Sequence, residues 1–326
     1  MRVAVIGAGL SGLAAARALK AAGQEVVIFE RDRVPGGRVS TIQLGDYIFD
    51  PGATSFAPRG KALERVMLDE LPTEDLVRVE KPIYVHESLR PRAGDLDKNA
   101  INRYTYKSGN AALPRMLAEG LSIRFERAIA EIKKLSEGGF LVDNDFFEWV
   151  IVALPAPEAL ALLQASGEQR PLSNVFYRPC VSVLLGYAHA LLEVRYHALL
   201  DPEQRHPLTW LSLESTKSPG RVPEGYTALV AQMSPQFSTT HFESPERLIV
   251  ELTADYIERL YGKEWAAPAI SGVVRYRHSQ PESIASFDVV NRSGVRLIVA
   301  GDSLLGSRTE HAYESGLRAA ALVTPQ

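Results

Sequence analysis

The stretch Arg2-Val3-Ala4-Val5-Ile6-Gly7-Ala8-Gly9-Leu10-Ser11-Gly12 determines how the rest of this 326-residue chain is interpreted. Four of its first five residues are apolar and three are β-branched, which predicts a buried strand. An Ala- and Leu-rich segment, residues 10–22, then predicts a helix that ends at Gly23. A second apolar run, residues 25–29, predicts another strand and is followed by Glu30. Together these segments predict a βαβ unit.

The glycines at residues 7–12 follow the Gly-x-Gly-x-x-Gly fingerprint of a dinucleotide-binding turn. Gly7 permits the tight turn, Gly9 lets the backbone approach a pyrophosphate at the positive helix end, and Gly12 lets the helix pack close to the strand. Glu30 is placed to accept hydrogen bonds from a ribose diol. A glycine-rich turn in an ordinary α/β domain is the alternative, but it leaves Glu30 and a second glycine cluster unexplained.

Composition excludes several classes of function. The formal charge is −3 and the pI is about 6.2, so the sequence predicts no nucleic-acid partner. Cys180 is the single cysteine and the seven histidines lack ligand spacing, which predicts neither a disulfide nor a metal site. No apolar run approaches the length of a membrane span. Because the N-terminus is itself the first predicted strand, we expect no signal peptide and a cytoplasmic protein of one or two domains.

A second glycine cluster follows Glu30 in the sequence Arg31-Asp32-Arg33-Val34-Pro35-Gly36-Gly37-Arg38. Paired glycines between arginines suit a loop laid against phosphates, because small residues allow close approach and Arg forms charge-assisted hydrogen bonds. A solvated basic turn is the alternative. Residues 48–54 (IFDPGAT) again place small residues, Gly52 and Ala53, where a flat ligand could pass.

The remaining pattern predicts short elements. We expect helices at 57–71, 111–119, 247–260 and 309–322, a polar loop at 90–102, and strands at 83–85, 104–106, 121–125, 128–133, 140–142, 147–153, 181–187, 273–278 and 296–300. Residues 210–221 and 229–235 read as strands with Pro- and Gly-rich connections. The middle of the chain is therefore the most β-like part.

GAGLSG, the acid at Glu30, VPGGR and DPGAT, in this order and spacing, resemble the N-terminal part of the FAD-dependent amine oxidase superfamily. The middle portion, with Trp210, the PGR at 219–221 and LVAQMS at 229–234, resembles the substrate domain of renalases. The resemblance implies an α/β fold: a Rossmann-like FAD-binding domain plus a mainly β-sheet (α+β) substrate domain. The implied limits are 1–73, 108–160 and 290–326 for the FAD-binding domain, and 74–107 and 161–289 for the substrate domain.

At the C-terminal end, a strand is followed by Gly301-Asp302, a loop and a helix from residue 309. In the superfamily such an aspartate binds the ribityl chain, and the helix N-terminus points at the N1–C2=O edge of the flavin, where the reduced ring is negative. Asp302 could instead only cap the next helix. Most relatives would have glycine at the position of His311, which could lie beside the flavin or be an exposed first-turn residue.

The resemblance implies FAD bound in an extended conformation, with adenosine at Glu30 and the isoalloxazine running toward Gly52 and Ala53. The implied cofactor-binding residues are Gly7, Ala8, Gly9, Leu10, Ser11, Gly12, Glu30, Arg31, Gly37, Arg38, Gly52, Ala53, Thr54, Ile129 (through its backbone, to adenine), Gly301, Asp302, Glu310, His311 and Ala312.

The renalase resemblance implies a flavin oxidoreductase that accepts hydride on flavin N5 from an unusual dihydronicotinamide, an isomer of NAD(P)H. Molecular oxygen would then reoxidise the flavin and give peroxide. A flavin amine oxidase or desaturase acting on a small molecule is one alternative, and a flavin-binding sensor without turnover is another. The chain length leaves little room for a large substrate domain, which weighs against the amine oxidase and the desaturase.

Trp210, Tyr276 and His278 are the candidate pocket-lining catalytic residues, since they lie in segments that the family places near the flavin face. An aromatic wall suits a flat ring, and a histidine could bond a carboxamide. Core packing or a surface position is the alternative for each. Lys217 could be a flavin-adjacent lysine of the amine oxidase kind, although its Ser-Pro-Gly-Arg neighbourhood indicates a loop.

Overall fold

The computed structural model of the protein describes residues 1–191, 194–292 and 296–323. The strands are β1 (Arg2–Ile6), β2 (Glu25–Phe29), β3 (Ile42–Leu44), β4 (Tyr47–Phe49), β5 (Leu76–Arg78), β6 (Ile83–Glu87), β7 (Arg90–Ala93), β8 (Tyr104–Tyr106), β9 (Ser122–Arg124), β10 (Lys133–Lys134), β11 (Phe140–Val142), β12 (Asp145–Phe147), β13 (Trp149–Val152), β14 (Tyr177–Tyr187), β15 (Ala198–Leu200), β16 (Leu208–Leu213), β17 (Thr227–Met233), β18 (Ile270–Pro281) and β19 (Leu297–Val299).

The α-helices are α1 (Leu10–Ala21), α2 (Lys61–Arg65), α3 (Leu96–Ala100), α4 (Ala112–Ala118), α5 (Ala156–Ala165), α6 (Glu214–Lys217), α7 (Pro235–His241), α8 (Glu246–Tyr261), α9 (Phe287–Val290) and α10 (Thr309–Val323). A π-helical turn (Val66–Glu70) continues α2, and two 3-10 turns (Lys263–Trp265 and Asp302–Leu304) complete the helical segments.

The first sheet is parallel, with the strand order β19-β13-β1-β2-β9. β1 lies at its centre and is buried along almost its whole length, as the apolar run predicts for a parallel strand covered on both faces. The glycine loop leaves the carboxyl end of β1 and leads directly into α1, so the βαβ unit expected from residues 2–29 is confirmed. This sheet confirms the expected Rossmann-like domain.

The second sheet has the order β18-β14-β17-β16-β15-β6-β7 and is antiparallel except where β15 pairs with β6. Its strands are two-faced because side chains alternate along them. On one face Val181 and Val183 pack with Ile249 of α8. On the opposite face Leu184 packs with Tyr47 and Phe49 of the β3–β4 hairpin. The sheet face that carries Leu184 is therefore the one next to the segment that follows Phe49.

The two sheets draw on different parts of the chain. Strands of the parallel sheet come from residues 2–29, 122–152 and 297–299, and those of the second sheet come from 83–93 and 177–281. The α/β fold with a mainly β-sheet second part is thus confirmed, while the domain limits stay a prediction. Residues 192–193, 293–295 and 324–326 of those limits lie outside the described ranges.

Four expected elements differ from the structure. The strand expected at 210–221 ends at Leu213, because residues 214–217 form α6. Residues 90–102, expected as a polar loop, hold β7 and α3, and Asp95 caps α3 by accepting from Lys98 N. The strand expected at 128–133 is wrong apart from β10, because Ile132 N donates to the Ser166 hydroxyl instead of to a neighbouring strand. The helix expected from residue 57 begins only at Lys61.

Within the described ranges, none of the helices combines the length and the hydropathy that crossing a membrane requires.

The contact between α1 and α10 brings the end of the chain back onto the nucleotide-binding helix. A Cβ added at Gly316 of α10 would lie 2.0 Å from the Ser11 carbonyl oxygen. A side chain therefore cannot be accommodated unless the two helices separate.

We expect Gly316→Ala to lower the free energy of unfolding of the apoprotein by about 3 kcal/mol, since overpacking a fixed backbone contact forces the helices apart. Chemical denaturation measures this. Gly9→Ala is the matched control, because the added Cβ there meets nothing within 4 Å. Equal stability of the two variants would contradict the close packing of α1 against α10.

Candidate active site

Glu30 ties the glycine loop to the second strand. Its Oε2 accepts from Ala8 N at 2.6 Å and its Oε1 accepts from Asp32 N at 2.9 Å, and the residue is only 7% exposed. The sequence predicted a ribose contact for Glu30 and missed this structural role. Arg127 N donates to Glu30 O. This hydrogen bond holds the irregular segment that leads to Ile129 against the backbone of Glu30.

The N-terminus of α1 fits a diphosphate. Gly9 is its N-cap residue, and among the described residues no side chain caps this end. The Ser11 hydroxyl is buried and likewise finds no described partner. A Cβ added at Gly9 or at Gly37 would meet no atom within 4 Å, so open space lies over both backbones. Uncapped N–H groups facing open space are what a phosphate needs.

Arg38 and Asp302, two predicted cofactor residues, bond directly to each other. Arg38 Nη1 donates to Asp302 Oδ2 at 2.6 Å and to Ser279 O at 2.9 Å. Tyr177 completes the group by donating to Asp302 Oδ1 at 2.6 Å. Burial lowers the pKa of Arg38, but the Asp302 carboxylate outweighs burial and raises that pKa, which keeps the guanidinium charged. Sequence reasoning missed Tyr177, which only the long-range fold brings here.

Gly52 occupies a position that admits only glycine. A Cβ there would lie 1.9 Å from Arg38 O and 3.1 Å from the Tyr276 hydroxyl. Ala53 N donates to the same Arg38 carbonyl at 3.0 Å. The small residues of the predicted flavin-facing segment therefore lie directly against the loop that carries Arg38.

Tyr276 and His278 on β18 form one wall of this region. The Tyr276 hydroxyl lies 2.6 Å from Ser40 Oγ, and burial raises the pKa of Tyr276 to about 12. The His278 ring packs edge-on against Tyr177 with 5.8 Å between ring centroids, and burial lowers the pKa of His278. Both side chains are therefore neutral near pH 7. The structure brings these two predicted residues to the Arg38–Asp302 pair.

Trp210 lies elsewhere on the sheet. It belongs to β16, and β17 and β14 separate it from β18. Its neighbour across the β16–β17 pair is Gln232, which donates to the carbonyls of Pro51 and Gly52. Trp210 is therefore beside Gln232, which contacts the segment predicted to face the flavin, and sequence reasoning missed Gln232. The Trp210 Nε1 atom is buried and has no hydrogen-bond partner among the described residues.

Lys217 belongs to a buried cluster of four charges. Its Nζ lies 2.9 Å from Asp50 Oδ2, 2.6 Å from Glu214 Oε2 and 2.7 Å from Thr54 O. Arg221 lies 2.8 Å from the same Asp50 oxygen and 3.2 Å from the same Glu214 oxygen. Burial raises the pKa of Asp50, but Lys217 and Arg221 outweigh it and hold that pKa below its usual range. Three contacts account for the ammonium hydrogens, which argues against a flavin-adjacent role for Lys217.

The first turn of α10 directs its side chains toward neighbouring loops. Glu310 Oε2 accepts from Arg59 N at 2.7 Å and from Gly60 N at 2.9 Å. The half-buried His311 ring lies against Gly306, where an added Cβ would be 2.1 Å from its Nδ1. Glu310 Oε2 and the His311 ring are thus already engaged within the protein, and a flavin contact by Glu310, His311 or Ala312 stays a prediction. Arg31, another predicted cofactor-binding residue, forms an ion pair with Glu158 at 2.8 Å, which already neutralises its charge.

Comparisons with known proteins agree with this geometry. The profile of the NAD(P)-binding Rossmann-like domain matches residues 5–71, and that of the flavin containing amine oxidoreductase family matches residues 84–324. A 54-residue segment, 17% of this chain, is 48% identical to the 4,4'-diapophytoene desaturase (4,4'-diaponeurosporene-forming) of Staphylococcus haemolyticus (strain JCSC1435). That match spans only 11% of the length of the curated relative.

Similar solved structures extend over nearly the whole chain. A protein of Exiguobacterium sp. 255-15 assigned as a protoporphyrinogen oxidase superposes with a TM-score of 0.80 at 12% identity, covering 99% of this chain and 98% of that one. Putrescine oxidase bound to putrescine gives 0.77 at 15% identity and covers 100% of both chains. Cyclohexylamine oxidase from Brevibacterium oxydans IH-35A gives 0.74 at 13% identity and covers 99% and 98%. At these identities the likeness shows the fold.

The Rossmann-like sheet, the uncapped α1 terminus and the second sheet, joined through the contacts of Asp302 with Arg38 and Tyr177, are the arrangement expected of an FAD-dependent oxidoreductase. The chain belongs to the flavin containing amine oxidoreductase family, whose profile covers most of its length. FAD is its cofactor, and the open, uncapped glycine loop fits the diphosphate of that molecule.

We expect Gly9→Ala to weaken FAD binding at least tenfold without changing the melting temperature of the apoprotein. The backbone of Gly9 is extended, which alanine adopts freely, but the new Cβ fills the space over the loop. Quenching of FAD fluorescence on titration into apoprotein measures the affinity. Undiminished affinity would place the diphosphate elsewhere.

Glu30→Ala should raise the FAD dissociation constant by about 10- to 100-fold, because hydrogen bonds to a charged acceptor contribute about 1–3 kcal/mol. It should also lower the apoprotein melting temperature, since two amides lose their acceptor. Asp32→Ala removes an exposed carboxylate nearby and is the control. Equal FAD affinity of the Glu30→Ala and Asp32→Ala variants would count against adenosine binding at Glu30.

Proposed function

We propose that the protein is a renalase-like oxidase that takes hydride from a dihydronicotinamide isomer of NAD(P)H. The donor leaves as the oxidised nicotinamide. Its two electrons then pass to molecular oxygen, which takes up two protons and becomes hydrogen peroxide. This proposal names the substrate class that membership of the family leaves open.

The charge distribution of the site carries the proposal. Arg38 stays charged, while Tyr276 and His278 are neutral near pH 7. The carboxylates around the site are already paired or buried: Asp302 is paired with Arg38, and Glu158, 4.0 Å from His278 Nε2, is paired with Arg31. Asp50 is enclosed in the buried cluster. A protonated amine would therefore find little negative charge to attract it. A flat donor that bears phosphates suits this site better.

Bound FAD supplies the hydride-accepting chemistry. Hydride leaves a dihydropyridine with both electrons of its C–H bond, so the chain needs to provide no base. Its contribution is to position the donor and to exclude competing reactions. The neutral imidazole of His278 can donate one hydrogen bond and accept another, which matches a carboxamide. The hydroxyl of Tyr276, held by Ser40, keeps the adjacent wall fixed.

Oxidation of a small amine is the second candidate, favoured by the family profile over residues 84–324. FAD would supply the two-electron acceptor for such a reaction as well. The occupied ammonium of Lys217 argues against the variant of this chemistry that uses a flavin-adjacent lysine.

Anaerobic mixing of the purified yellow protein with donors separates these functions. We expect isomer-containing, aged NADH or NADPH to bleach the flavin absorbance rapidly, and fresh NADH and small amines to act far more slowly. Bleaching by amines alone would overturn the proposal in favour of amine oxidation. No bleaching by any donor would overturn it in favour of a flavin-binding sensor.

A further inference from the structure

The segment Pro51–Thr54 is held through its carbonyl groups. Pro51 O accepts from Ser182 Oγ at 2.7 Å and from Gln232 Nε2 at 2.9 Å, and Gly52 O accepts from the same Nε2 at 2.7 Å. Ala53 O accepts from Asn110 Nδ2 at 2.8 Å, and Thr54 O accepts from Lys217 Nζ at 2.7 Å. Four consecutive carbonyls are thus fixed by side chains from other segments.

Gln232 is the side chain that fixes two of these carbonyls at once. Both hydrogens of its amide group are donated, one to Pro51 O and one to Gly52 O. Two carbonyl acceptors require the NH₂ end of the amide, so the orientation of the side chain follows from its partners. Its neighbour across the β14–β17 pair is Ser182, which holds Pro51 O from the same sheet face.

Fixing these carbonyls also fixes the direction of the N–H groups in the same peptide planes. In a planar trans peptide the C=O of one residue and the N–H of the next point in opposite directions. Holding Pro51 O and Gly52 O toward Gln232 therefore turns the N–H groups of Gly52 and Ala53 away from the sheet. Ala53 N donates to Arg38 O, whereas Gly52 N has no hydrogen-bond partner among the described residues.

We propose that Gln232 is a positioning residue for the flavin. By holding the Pro51 and Gly52 carbonyls, it presents the Gly52 N–H as a fixed hydrogen-bond donor to the FAD ring. This inference rests on the placement of FAD against Gly52 and Ala53, and it adds a residue that the sequence did not suggest. It requires neither a particular electron donor nor turnover.

The test compares Gln232→Leu and Gln232→Glu with the wild type, and Gln236→Leu serves as the matched control at an exposed position. We expect Gln232→Leu to raise the FAD dissociation constant about tenfold, as the loss of one or two hydrogen bonds would. It should also shift the visible flavin bands and make the reduction potential more negative, because a donor that stabilises the electron-rich ring is no longer fixed. The control should match the wild type in all three.

Gln232→Glu adds a readout that a purely structural role would not move. An ionised carboxylate only accepts hydrogen bonds, so it would repel the two carbonyls, whereas the protonated form can donate one. Two carbonyl oxygens beside this half-buried carboxyl group favour its protonated form and should raise its pKa above the ordinary value of about 4.3. We therefore expect FAD affinity and the flavin spectrum of this variant to approach those of the wild type as the pH falls from about 7.5 to 4.5. The wild type should change little over the same range.

Several outcomes distinguish the possible failures. Wild-type protein that takes up no FAD would overturn the cofactor assignment and this inference with it. FAD uptake without reduction by a dihydronicotinamide would overturn the proposed function alone. A Gln232→Leu variant with a lower apoprotein melting temperature but unchanged FAD affinity, spectrum and potential would overturn this inference. If that variant does not fold, a pH-independent Gln232→Glu spectrum would overturn it equally.

Discussion

The buried cluster of Asp50, Glu214, Lys217 and Arg221 is the constraint on which the site depends. All four side chains are inaccessible to solvent, and their charges cancel. Burying ions costs several kcal/mol each, which is offset only where every charge finds good partners. Here each acid faces both cations, and Arg221 also donates to Thr105 Oγ1 and Tyr106 O. Because Asp50 immediately precedes the segment Pro51–Thr54, the same contacts that neutralise the cluster fix this segment, which is predicted to face the cofactor, to the second sheet.

A second set of contacts, centred on Asp302, joins three distant parts of the chain. Arg38 comes from the N-terminal loop, Asp302 from the last 3-10 turn, and Tyr177 from the second sheet, and all three meet at one carboxylate. The parallel sheet alone would supply a nucleotide-binding terminus at α1. The contacts at Asp302 hold the second sheet close to the parallel sheet. A molecule that lies along the glycine loop would therefore end between the two sheets. This arrangement, together with the family profile, explains why the protein is an FAD enzyme rather than only a dinucleotide-binding domain.

Local sequence patterns predicted the βαβ unit at residues 2–29 well. The boundaries of β1, α1 and β2 follow from burial patterning and from Gly23, all within thirty residues of sequence. The sequence predicted only that Gly52 and Ala53 are small enough for a flat ligand to pass, and the structure adds that Gly52 lies against Arg38 O. The roles of Gln232, Tyr177 and Arg221 could not be predicted, because each depends on contacts between residues more than one hundred positions apart. Lys217 was interpretable only once Asp50 and Glu214 were seen beside it. Residue 311 illustrates the same limit, since its ring direction is set by the turn at Gly306.

A crystal structure of the protein with FAD bound tests the central claim most directly, because the claim concerns where one molecule lies relative to both sheets. The account predicts one FAD per chain, with its diphosphate over Gly9, its ribityl chain beside Asp302 and its ring at the Gly52 N–H of the segment Pro51–Thr54. A flavin bound away from the glycine loop, or a ring that does not reach Gly52, would contradict it.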